Sequence, residues 1–134
     1  LKVVLDTNIL IAAFLTEGIC SKLLLRARKR ECDLFLSSDI MSELETVLIK
    51  KFSLSGSEIS EVHSVISEAS KELVLKIDPI APVCSDADDD KILACAHRLG
   101  ADYLVTGDED LLVIGQYSTT KIITPRDFES FFPD

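Results

Sequence analysis

The sequence predicts an α/β fold, a three-layer sandwich with a central parallel sheet of about five strands flanked by helices. Two patterns predict it. Short apolar runs of the kind that fill the middle of a parallel sheet recur at 2–6 (KVVLD), 33–37 (DLFLS), 73–77 (LVLKI), 103–106 (YLVT) and 121–124 (KIIT). Amphipathic stretches separate them, and strands alternating with helices demand a sheet covered on both faces. A length of 134 residues, with 47% hydrophobic and 28% charged positions, suits one domain spanning 1–134 with a real core.

Taken in order, KVVLD is followed by a short helix over 8–15. From Cys20 to Glu31 a helix carries Cys20, Leu23, Leu24 and Ala27 on one face and Lys22, Arg26, Lys29 and Arg30 on the other. After DLFLS, Ser38 or Asp39 caps a helix running to about Lys51. Ser55 with Glu58 forms a capping box ahead of an amphipathic helix containing Ile59, Val62, Ile66 and Ala69. The third strand, LVLKI, closes on Asp78 and Pro79. A helix over about Asp88–Leu99 ends on Gly100 as a left-handed cap, and a short helical turn at DLLVI follows YLVT. Thr124 and Pro125 open a last helix after KIIT, with proline at the first helical position.

The net charge of −9 and pI near 4.6 argue against a protein that clings to nucleic acid by bulk electrostatics, which relies on Lys and Arg. Cys20, Cys32, Cys84 and Cys95 lack CxxC pairing, and His63 and His97 stand alone, so neither a zinc site nor a disulfide framework is expected. No apolar run approaches the roughly 20 residues that cross a bilayer, and no signal-peptide pattern precedes KVVLD, so a cytoplasmic protein without membrane contact is expected. The chain begins at Leu1 without methionine, so leading residues are expected to be missing.

The chemistry-bearing signals are acidic and recur behind the strands. Asp6 ends the first, in DTN; Glu43 lies on the shoulder of the buried stripe of the helix after the second, with Glu45 on the opposite shoulder. In DADDD, helical phase selects Asp89, which shares a face with Ile92, Leu93 and Ala96, leaving Asp86 and Asp90 as second choices. In TGDED, Asp108 lies nearest the strand tip, with Asp110 assisting, and either could cap the next turn. In an open α/β sheet these carboxyl-end positions border one crevice. Carboxylates gathered there repel unless protons or cations neutralise them, and a hard divalent cation is the usual answer.

These residues, in order, resemble the PIN-domain family, and within it the toxin nucleases of prokaryotic toxin–antitoxin pairs. The resemblance runs through strand-then-DTN, Glu43, Asp89 with ILACA and Gly100, VTGDEDLL and ITPRDF. It implies Asp6, Glu43, Asp89 and Asp108 as the catalytic and metal-binding quartet, with Asn8 and Thr106 orienting the site. The activity it implies is Mg- or Mn-dependent hydrolysis of RNA phosphodiester bonds, with one or two cations held by carboxylates and no histidine required. It also implies a homodimer and a small antitoxin covering the cleft. The stripe Lys22, Arg26, Lys29 and Arg30 is the candidate for steering RNA. Competing readings are a catalytically silent PIN-like RNA- or protein-binding module, and a phosphatase with a strand-tip Asp. The phosphatase would want a second Asp where Asn8 stands.

Overall fold

In strand β1 (Lys2–Leu5), Val3, Val4 and Leu5 are all buried, so both sides of the strand are covered, as a central parallel strand requires. The structure, a computed structural model, describes residues 1–74 and 77–133. Asp6 alone separates β1 from helix α1 (Thr7–Leu15), and the chain continues through α2 (Ile19–Arg28), β2 (Asp33–Ser37), α3 (Ser38–Phe52) and α4 (Gly56–Ala69). Then come β3 (Ser70–Val74), α5 (Ala87–Leu99), β4 (Tyr103–Val105), α6 (Glu109–Leu112), β5 (Gln116–Tyr117), β6 (Thr120–Ile123) and α7 (Pro125–Glu129).

The sheet has the order β3-β2-β1-β4-β6-β5 and is parallel except for the β5–β6 pair. The chain therefore winds outward from β1 through β2 to β3, then crosses back to β4 and on to β6. Right-handed crossovers in those opposite directions put α1–α4 on one face and α5 on the other. The packing agrees: α1 contacts α2 and α3, α2 contacts α4, and α5 lies across β1, β2 and β4. Leu10, Leu34, Leu36, Leu44, Leu93 and Leu104, all fully buried, fill the space between layers. No single helix is long and apolar enough to cross a membrane.

Several local expectations hold with their predicted chemistry. Ser55 and Glu58 form the full capping box, Gly100 ends α5 at φ 61°, and Thr124 caps α7 with Pro125 at its first position. Others shift. Ser37, the last residue of β2, caps α3 in place of Ser38 or Asp39, its Oγ accepting from the Ile40 N–H at 3.2 Å. Helix α2 stops at Arg28, short of Glu31, because Arg30 adopts the left-handed conformation (φ 62°) and the Glu31 N–H returns to the Arg26 carbonyl, closing a Schellman-type end.

The third strand starts at Ser70, three residues before the predicted 73, straight from the end of α4. Its opening Ser-Lys-Glu is polar because β3 is an edge strand, where charge discourages pairing with other chains. Of the predicted 73–77, residues 75 and 76 lie outside the described residues, and Ile77 belongs to no strand. The sixth strand, β5, was not expected: it is two residues long and hairpins onto β6 through Ser118 at φ 54°, too short to show a period.

Candidate functional site

Strand order reverses direction between β1 and β4, and at such a switch point the crevice lies beyond the carboxyl ends of the strands. Asp6 follows β1 and Thr106 follows β4 there. Asp6 is buried, 7% exposed, and its own N–H donates to the Val105 carbonyl at 2.9 Å. Its carboxylate is held on both oxygens: Oδ1 accepts from the Thr7 N–H and Oδ2 from Thr106 Oγ1, each at 2.7 Å. The same buried Thr106 hydroxyl accepts from the Asp108 N–H at 3.0 Å. Asp108 in turn caps α6 by accepting from the Asp110 N–H at 3.0 Å. A continuous chain of hydrogen bonds thus runs from the tip of β1 to the start of α6.

Asp89 reaches this chain from the first turn of α5. One carboxylate oxygen from each of Asp89, Asp108 and Asp110 lies within 4.8 Å of the others. The structure therefore brings Asp108 and Asp110 to Asp89 together. Glu43 approaches from α3, its Oε2 accepting from Thr7 Oγ1 at 3.3 Å. Thr7 is buried and links Glu43 to Asp6, donating its N–H to one and its hydroxyl to the other. Sequence reasoning did not single out this threonine, although a polar side chain in the first turn behind a strand-tip Asp was the available signal.

Electrostatics follow from that crowding. Burial raises the Asp6 pKa first; the hydrogen bonds from Thr106 and Thr7 pull it back, and the charge of Asp108 pushes it up again. Burial also raises Glu43, with Asp88, Asp6 and Asp86 as the charges adding to it. Asp89 is raised to about 6, by burial first and then by Asp108, Asp86, Asp6 and Asp110. The main charges on all three are other carboxylates, which is the condition a divalent cation relieves.

The remaining candidates separate by what they touch. Asp86 is exposed and caps α5, accepting from the Asp88 N–H at 2.9 Å. Asp90 faces away from the cluster: its Oδ1 accepts from the Val83 and Cys84 N–H groups at 3.2 and 2.9 Å, which holds its pKa below the ordinary value and pins the loop before α5. Asn8 is exposed, and its side chain makes no hydrogen bond among the described residues, so it does not orient the acids as Thr106 does. Both histidines are at the surface, His63 paired with Glu45 across α3 and α4, and His97 edge-on to Tyr117. All four cysteines are free.

The basic stripe is not uniform. Arg26 does not project to solvent: it donates to Glu129 through Nε and Nη2 and to Glu31 through Nη1, and it stacks on Phe132 at 4.6 Å, tying α2 to α7. Arg30 donates to the Ala69 carbonyl at 3.3 Å. Lys22 and Lys29 remain exposed, joined by Arg28, which pairs with Glu68. Arg26→Lys, which keeps the charge but loses the two-pronged geometry, is expected to lower Tm clearly and leave RNA affinity unchanged. Melting curves beside filter binding check this, and a selective loss of RNA binding would return Arg26 to the steering role.

A family model described as PIN domain matches residues 2–110, and PIN domains are generally nucleases. No curated protein matches the chain. The matched segment reaches from the first strand through the last member of the acidic cluster, over most of the chain's length, and the chain therefore belongs to the PIN-domain family.

Proposed function

We propose that the protein is a ribonuclease dependent on Mg or Mn, and the toxin of a toxin–antitoxin pair. The observation that carries the nuclease reading is the convergence of Asp89, Asp108 and Asp110 on one point, with Asp6 tied to Asp108 through Thr106. These are hard oxygen donors with raised pKa values, the donor set that suits Mg or Mn. Asp89, Asp108 and Asp110 would hold the cation, with Asp6 and Glu43 completing the negative field on the β1 side. A bound divalent cation supplies Lewis acidity toward the phosphoryl oxygens and the water that attacks phosphorus.

The chain's own residues do the rest. Thr106 and Thr7 hold Asp6 in one orientation, so no reorganisation is needed when substrate arrives. Thr7 positions Glu43, and the Asp108 cap on α6 fixes the turn from which Asp110 projects. Lys22, Arg28 and Lys29 on α2 are the exposed cations available to an RNA backbone, in a protein whose overall charge is otherwise repulsive. A cytoplasmic homodimer covered by a small antitoxin completes the reading by family analogy.

Single-stranded RNA incubated with the purified protein is expected to be cut when Mn or Mg is added and to stay intact in chelator. RNA that remains whole in both, alongside demonstrable binding, would establish instead a non-catalytic RNA-binding module. For the toxin role, a short open reading frame directly upstream whose product co-purifies with this chain is the expected finding.

A further inference from the structure

Beside the acidic centre lies a slot of about 320 Å³, within the size range of small-ligand pockets. Ile77, Pro79 and Ile80 form one wall and Ala87 and Ala94 of α5 the other. The outer wall is held in place by Asp90, whose carboxylate accepts the Val83 and Cys84 N–H groups. At the rim stand Asp39 and Lys91. Both residues also line a second groove of about 230 Å³, which contains Glu43 and Asp88. The two spaces are therefore continuous, and the groove ends at the carboxylate that Thr7 joins to Asp6.

We propose that this slot takes one unstacked nucleobase of the RNA, next to the scissile phosphate, and that Asp39 selects bases carrying an exocyclic amino group. This rests on the ribonuclease reading and extends it to specificity. Proteins that read single-stranded RNA splay a base out and bind its edge. The slot offers aliphatic walls for the ring faces and one carboxylate for the edge. Asp39 is exposed and has no hydrogen bond or ion pair among the described residues, so it is available. A carboxylate only accepts hydrogen bonds, which favours a donating edge; guanine, with N1–H and N2–H side by side, matches two carboxylate oxygens best. Lys91 is held only by an exposed contact to Asp88 at 3.7 Å and stands where the backbone would pass from the groove to the slot.

The test maps cleavage sites on a randomised single-stranded RNA in Mn, for wild type, Asp39→Asn and Ala87→Leu. Residues 39 and 87 are both exposed, so the fold tolerates the changes. Wild type is expected to favour an amino-bearing base at one fixed position by at least about fivefold, the low end of bidentate base discrimination. Asp39→Asn should level that preference. Ala87→Leu, which fills the slot, should slow cutting at preferred sites while the metal requirement stays. Identical site patterns and rates in all three proteins would overturn the slot proposal while the nuclease reading stands. A wild type that cuts nothing with metal would sink both.

Discussion

Replacing Asp89 with asparagine is expected to reduce metal-dependent RNA cleavage by roughly a thousandfold, about 4 kcal/mol of transition-state stabilisation. Asparagine preserves the size and the helix position, so what is lost is the charge, at the one side chain that α5 contributes to the three-oxygen cluster. The same substitution has an opposite effect on folding. An acid whose pKa rises from 3.8 to about 6 on folding is harder to ionise in the native state. It therefore weakens the fold above pH 6, and the penalty fades as pH falls from 6 toward 3.8. The full shift corresponds to roughly 3 kcal/mol; because Asp89 is partly open to solvent, screening reduces this to about 1. In chelator at pH 7, Asp89→Asn should melt a few degrees above wild type, and near pH 4 the two should coincide. Asp6 and Glu43, also raised, act in the same direction in wild type. Melting curves at both pH values decide the matter, and a less stable variant at pH 7 would make Asp89 a helix-start residue first and a functional one second.

The second large effect is expected at Thr106. Thr106→Val keeps the shape of a fully buried side chain and removes the hydroxyl that serves Asp6 and the Asp108 N–H at once. A buried carboxylate oxygen and a backbone donor are left without a protein partner, which costs about 2 kcal/mol. Cleavage should fall at least about tenfold as well, with kcat affected more than KM, because the two acids are no longer held in register. Thr106→Ser keeps the hydroxyl and should restore most of the rate, separating orientation from packing. If valine leaves both Tm and kcat at wild-type values, the hydrogen-bond chain organises nothing.

Much of this was legible before any coordinates. The apolar runs VVL, LFL, YLV and KII declare themselves because parallel strands buried on both faces cannot afford polar alternation. Asp89 was separable from Asp86 and Asp90 by phase alone, since Ile92, Leu93 and Ala96 repeat on its side of α5. Less visible were features whose physics lies between segments. β3 hid behind Ser70, Lys71 and Glu72, because an edge strand is allowed a polar start. Arg26 read as a surface cation on helical phase, yet its partners Glu129 and Phe132 are about a hundred positions away and leave no local trace. Thr7 was passed over for the same reason: its hydroxyl matters only once α3 has brought Glu43 alongside. The choice between Asp108 and Asp110 was undecidable from spacing, and the α6 turn presents both.

The clamp between α2 and the end of the chain bears on where this protein can be trimmed. Homology stops at residue 110, but Ile122 and Phe128, beyond that point, are core residues, and β6 is the hydrogen-bonding neighbour of β4. An expression clone ended at the homology boundary would strip β4 of its flanking strand and open a void under Tyr103, whose ring packs on Phe128 and Phe131. Such a naked strand invites partner chains, so the shortened product is a candidate for inclusion bodies, not for crystals.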